Sequence, residues 1–124
     1  PFAGGQALMG DVLERIAARG NASFLAVLKT MGPQGEGLLS FPMPGYTLAL
    51  DIPRRDPDVI PFLRQLNRTV AAAGGRHYLA KDAILERGEL EPMYPRLEEF
   101  RTVKRRWDPA GLFRSTQSER LGLS

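Results

Sequence analysis

The sequence predicts an α+β fold with a small antiparallel sheet, and three observations carry that expectation. Apolar residues recur at helical spacing in three separate stretches. Between Tyr46 and Ile52 they alternate instead, with Tyr46, Leu48, Leu50 and Ile52 on one face and Thr47, Ala49 and Asp51 on the other. Gly and Pro punctuation then sorts the chain into the order α-β-β-α-β-α. The first five elements, α-β-β-α-β, match a partial ferredoxin-like layer, a split βαβ unit without its first strand. The expected organisation is that layer over residues 1–90 and a C-terminal helix and tail over residues 91–124.

Each element has its own justification. Leu8, Val12, Ile16 and Ala17 define a first helix from Gln6 to Arg19, closed by Gly20-Asn21. Phe24 to Lys29 is a run of mostly apolar residues and reads as a strand covered on both faces. Gly32 to Pro44 holds Gly32, Gly35, Gly37, Pro33, Pro42 and Pro44, so it is a long loop, a kind often functional. The alternating strand follows and Pro53 ends it. Asp56-Pro57 starts the next helix, whose buried stripe is Ile60, Leu63, Leu66, Asn67 and Val70, with Arg64 and Arg68 outward. Gly74-Gly75 stops it, and Arg76–Ala80 reads as a third strand. After a weakly patterned linker, Met93, Leu97, Phe100, Val103 and Trp107 form an apolar seam on the last helix, which Asp108-Pro109 ends. The tail beyond Arg114 offers only Leu121 and Leu123 to a core.

Composition narrows the function classes. A chain of 124 residues, 43% hydrophobic and 25% charged, fits one soluble domain. No apolar run approaches the roughly 18 residues of a membrane span. Zero cysteines exclude disulfides and thiolate metal sites, and a single His leaves no zinc site, so no metal is expected. The start, Pro1-Phe2-Ala3-Gly4-Gly5, reads as a cut end and not as a signal peptide. The net charge of +3 is uneven: the segment from Arg101 onward carries +4 and residues 1–100 carry −1. Lys104-Arg105-Arg106 lacks the aromatic interleaving of a strand-binding groove, so no nucleic-acid partner is expected. A solvated helix face is the simpler reading, with an anionic membrane surface left open.

The stretch from Ala71 to Asp82 carries the candidate chemistry. It brings Tyr78 and Lys81 to the end of the third strand, where a phenol and an ammonium face either an electron-rich ring, an anion, or solvent. Spacing alone does not separate these readings. Strict alternation would put the two side chains on opposite faces unless the strand ends or bulges near Ala80. Gly74-Gly75 follows a helix, the reverse of a phosphate-cradling order.

His77-Tyr78-Leu79-Ala80-Lys81-Asp82, with Phe41-Pro42-Met43-Pro44-Gly45-Tyr46 before it and Met93-Tyr94-Pro95-Arg96-Leu97 after it, resembles the C-terminal part of vanillyl-alcohol-oxidase-type FAD-linked oxidoreductases. The branch it resembles is that of the decaprenylphosphoryl-ribose and aldonolactone oxidases, over roughly Ser23 to Leu123. The resemblance implies an FAD cofactor, held mainly by an N-terminal FAD-binding domain, and a sugar-type substrate. It gives this region part of the cap over the flavin and part of the substrate pocket. It implies that Lys81 reaches flavin and substrate, that Tyr78 donates a hydrogen bond there, and that Thr47 and Ala49 line the substrate recess, where Asn and Cys stand in that branch. His77 reads as structural, and Asp51 and Asp82 as cap or ion-pair residues. Alone, the chain is then expected to be inactive and self-associating, and its parent cytoplasmic, with peripheral membrane contact open. The rival expectation is a small ferredoxin-like binding or regulatory module that docks an acidic partner through its basic last helix.

Overall fold

The computed structural model describes residues 1–20, 23, 25–54 and 56–124. Their order is α1 (Gly5–Ala18), β1 (Ala26–Met31), β2 (Gly45–Leu50), α2 (Val59–Ala72), a 3-10 turn (Leu79–Lys81), α3 (Leu97–Trp107) and α4 (Thr116–Leu121). The fold is α+β, and β1 and β2 pair antiparallel, Ala26 opposite Leu50 and Met31 opposite Gly45.

Side-chain alternation on β2 sets the first core cluster. Leu48, Leu50 and Ile52 turn one face toward Val12 and Ile16 of α1 and Leu66 of α2, with Phe62, Leu63 and Val70 packed alongside. Thr47 and Ala49 therefore belong to the opposite face. The expectation for the first strand needs correction. It runs from Ala26 to Met31, Phe24 lies outside the described residues, and the strand is not covered on both faces. Leu28 pairs with Leu48 yet is 59% exposed, because the helical layer packs on β2 and leaves β1 as an uncovered edge.

Helix α2 joins both halves of the molecule. Asp56 begins its approach by accepting from the Asp58 N–H at 2.9 Å while pairing with Arg19. Its C-terminus closes at Gly74, whose φ of +74° suits a glycine; Gly74 N–H donates to Ala71 O and Gly75 N–H to Val70 O. A Cβ on Gly75 would fall 2.5 Å from Val70 Cγ1, so no larger residue fits that turn. Arg64, expected to point outward, instead donates to Ile84 O at 3.0 Å and pairs with Glu86 at 2.6 Å.

The expected third strand does not form. Residues 76–78 carry no ladder pairing and the chain then winds into the Leu79–Lys81 turn. The carbonyls that would have laddered are taken by distant side chains: His77 O accepts from the Tyr94 hydroxyl at 2.8 Å and Leu79 O from Gln117 Nε2 at 2.6 Å. With those groups satisfied, the backbone has no need of a neighbouring strand.

The second cluster holds this region down. Leu85, Leu90, Met93, Tyr94, Leu97, Leu121 and Leu123 are buried together, with Leu39, Ala71, Leu79 and Phe100 against them, so packing runs across residue 90. The linker after Asp82 thus supplies core residues. The seam expected on the last helix divides. Met93, Leu97 and Phe100 join the cluster, whereas Val103 and Trp107 are 43% and 77% exposed because α3 projects past it. Helix α4 seats Leu121 instead, and a capping box of Ser115 and Ser118 starts it.

Candidate functional site

The site is built on a turn pinned from below. Asp82 ends it, and its carboxylate is fully buried. One oxygen accepts from the N–H groups of Ile84 at 3.0 Å and Leu85 at 2.9 Å. The other accepts from Arg120 at 2.7 Å. Burial pushes this carboxyl up, but the Leu85 and Ile84 amides and the Arg120 guanidinium outweigh it, so its pKa lies below the ordinary aspartate value. Asp82 is therefore a charged anchor for the segment, as its expected cap or ion-pair role requires.

His77 and Tyr94 complete the frame. His77 Nδ1–H donates to Asn67 Oδ1 at 3.0 Å, and Nε2 stands 3.7 Å from Asp82 Oδ1. Burial lowers the imidazole pKa despite that nearby carboxylate, so the ring is neutral at neutral pH. Tyr94 is 1% exposed and burial pushes its phenol up to about 12, so it serves as a permanent hydrogen-bond donor to His77 O.

On this frame Tyr78 and Lys81 stand out. Tyr78 precedes the turn and Lys81 closes it, with Lys81 N–H donating to Tyr78 O at 3.1 Å. A turn with three residues per revolution removes the strand alternation that would have set the two on opposite faces. Lys81 is exposed and, among the described residues, has no ion pair. Tyr78 is 46% exposed, and its ring lies 4.8 Å from that of Phe41 at a tilt of 38°.

That aromatic contact ties the long loop before β2 to the turn. Arg76 reinforces it by donating to Ser40 O at 2.8 Å and to Gln34 Oε1 at 3.1 Å, and Arg96 by donating to Glu36 O at 3.1 Å. No local sequence pattern assigns a role to Phe41, Arg76 or Tyr94. Their partners lie 17 to 42 positions away, beyond any local pattern. Thr47 and Ala49 sit opposite Lys29 and Val27 on the open face of the sheet. No hydrogen bond or ring contact joins them to Tyr78 or Lys81 among the described residues.

An ammonium, a phenol and an aromatic ring fit the edge of a planar, electron-accepting heterocycle, flavin included. They do not fit its pyrophosphate, because the Gly74 and Gly75 amides are committed to the α2 carbonyls. The described residues contain no group of three metal-ligating side chains, and no described helix is long and apolar enough to cross a membrane.

An uncharacterized protein of the mprA 5′ region from Streptomyces coelicolor is 38% identical over 116 residues, covering 94% of this chain and 32% of its own length. Decaprenylphosphoryl-beta-D-ribose oxidase from Mycolicibacterium smegmatis is 38% identical over 113 residues, covering 91% of this chain and 24% of its own. The chain thus spans about a quarter to a third of the curated relatives it matches. The family model for D-arabinono-1,4-lactone oxidase matches residues 52–121, from the entry into α2 to the end of α4. That span takes in the pinned turn, its buried anchor and the buried residues of the second core cluster except Leu123, and on it this chain belongs to the D-arabinono-1,4-lactone oxidase family.

Proposed function

We propose that this chain is the C-terminal portion of an FAD-dependent oxidoreductase that oxidises a sugar, a sugar lactone or a polyprenyl-linked sugar alcohol. The observation that carries the reading is an exposed Lys81, without an ion pair among the described residues, on a turn that a buried network fixes, inside the family-matched span. Bound flavin would supply the acceptor for hydride leaving a carbinol carbon. Lys81 would present its ammonium where negative charge develops on ring and substrate, and a fixed cation stabilises such charge without reorganising. Tyr78 would donate its phenol O–H, with Phe41 holding the ring in place. Thr47 and Ala49 would line the substrate recess from the open sheet face. The pyrophosphate and adenine would be held by an N-terminal FAD-binding domain, and the greater length of both relatives supports that division. Both the family description and the mycobacterial relative's name a sugar derivative, which supports the substrate class.

The rival reading, a module docking an acidic partner through α3, has less charge to use. Arg101 is committed to Glu91 and Glu98, and Lys104 to Asp108. Absorbance decides the matter. The longer protein that contains this chain should be yellow and bleach anaerobically with a sugar lactone, while the 124-residue chain alone should be colourless. A colourless longer protein, or a yellow isolated chain, would count against the reading.

A further inference from the structure

We propose that Arg76 is a positioning residue for Tyr78: by clamping the loop before β2 it seats Phe41 against the phenol ring and so aims the Tyr78 hydroxyl. The proposal rests on the flavoprotein reading above, in which that hydroxyl donates to ring or substrate.

The backbone explains the reach of Arg76. Helix α2 closes at Gly74, and the segment that follows carries no ladder pairing, with Tyr78 extended at φ −77° and ψ 111°. Residues two apart on an extended segment share a side, so Arg76 and Tyr78 are presented to the same loop. Arg76 Nη1 donates to Ser40 O at 2.8 Å and Nη2 to Gln34 Oε1 at 3.1 Å. Tyr78 meets the next loop residue, Phe41, with ring centroids 4.8 Å apart. The clamp and the aromatic contact are thus neighbours on both chains. A planar guanidinium fork holds two acceptors in a fixed relation, which a single-point donor does not.

Two observations set this arginine apart from a surface ion pair. It has no carboxylate partner among the described residues, and its two donations go to neutral loop oxygens. Its guanidinium also lies 5.7 Å from the centroid of the Tyr94 ring, and Tyr94 is buried and donates to His77 O, midway between Arg76 and Tyr78. The clamp is therefore fixed to the frame beneath the turn. The loop has few other supports: residues 32–37 are exposed, Leu39 packs against the second cluster, and Ser40 Oγ accepts from Gly35 N–H at 3.0 Å. Tyr78 is itself nearly half exposed, so without Phe41 its ring regains other rotamers.

Substitutions in the longer protein test this, read by stopped-flow flavin reduction with the sugar lactone that bleaches the wild type. Hydrogen–deuterium exchange of residues 34–41 reports the clamp independently of flavin. Arg76→Met should speed that exchange and slow reduction on the order of tenfold, since a misplacement of about 1 Å costs up to a hundredfold. Arg76→Lys, which keeps the charge and a single donor, should recover part of both. Phe41→Leu should slow reduction comparably, and adding Arg76→Met to it should cost no more than about twofold further, because residues acting through one contact are not additive. Tyr78→Phe is the decisive background. With no hydroxyl to aim, its rate should fall by less than about twofold on adding Arg76→Met or, where that variant does not fold, Arg76→Lys. An arginine that acts only on stability, or through its charge, would slow Tyr78→Phe as much as the wild type. That result would overturn the proposal and leave the flavoprotein reading intact, as would unchanged exchange at residues 34–41 in Arg76→Met. A colourless wild type would overturn the flavoprotein reading, and this proposal with it.

Discussion

Replacing Lys81 by Met in the longer flavoprotein isolates the charge at the end of the turn. Lys81 is exposed and unpaired among the described residues, while the turn beneath it is fixed by Asp82, Gln117 and Arg120. The substitution therefore removes an ammonium without removing a support, and stability should change by no more than about 0.5 kcal/mol. Losing one preorganised contact to developing charge costs about 3 kcal/mol, on the order of a hundredfold in rate. Stopped-flow flavin reduction by a sugar lactone reads that loss, and flavin content should stay constant if, as proposed, its pyrophosphate is held outside this chain. Lys81→Arg should recover only part of the rate, since a planar fork does not replace a compact ammonium. Arg68→Met is the control, its side chain being 63% exposed and paired with Glu89 at 3.5 Å. Lys104 is unsuitable for that purpose because it bridges to the nearly buried Asp108. An unchanged reduction rate in Lys81→Met would remove Lys81 from the site, and equal losses in the control would point to general damage.

Three further outcomes follow from the same geometry. Asp82→Ala should lower unfolding free energy by about 3 kcal/mol in urea titration, because it orphans Arg120 and two buried amides at once; a loss within error of zero would show that the anchor is dispensable. Acidification should destabilise the chain in two windows. His77 has a folded pKa below its unfolded 6.5, so the unfolded state binds more protons as pH falls from 6.5 to the depressed value, and stability is lost there. Asp82, depressed below 3.8, gives up its contribution between 3.8 and its own folded value. Urea unfolding across pH should show both losses, and His77→Gln should abolish the upper one; stability that rises on mild acidification would contradict the assignment. Finally, the β1 edge, with Leu28 at 59% and Leu25 at 48% exposure, should drive concentration-dependent self-association of the isolated chain. A compact monomer at all micromolar concentrations in sedimentation would refute that.

Periodicity made some of this legible and hid the rest. The β2 alternation and the α1 and α2 stripes appear where the pattern puts them, because each buries a face against its neighbour and local spacing reports it. Arg76–Ala80 was misleading for the same reason. A short apolar run is ambiguous, and what decides it here is Tyr94 and Gln117 reaching its carbonyls from 17 and 38 positions away. The burial of β1 was overestimated because apolar content does not say whether a covering layer extends that far. Helix α4 had a readable signal in Ser115 and Ser118, but a serine at the third helical position is a weaker cue than a glutamate. At the site, Tyr78 and Lys81 were visible as a motif, whereas the buried Asp82 network and the Phe41 contact depend on the fold.

The division of the chain bears on how such a protein would change substrate. The family match begins at Ile52 and ends at Leu121, so it contains the pinned turn and leaves β1 and β2 outside. Within the matched span, Tyr94 and Leu85 are at most 1% exposed and the Asp82 side chain is buried, and altering any of them would disturb the backbone that presents Lys81. Thr47 and Ala49 are half-buried on the sheet face away from the first core cluster, where a change of side chain disturbs no packing beneath. A rigid turn for the charge and a permissive sheet for the substrate would allow specificity to vary at the second without moving the first. On the proposed function, a Thr and an Ala where the resembling branch has Asn and Cys would bear on which sugar is accepted and not on the oxidation chemistry.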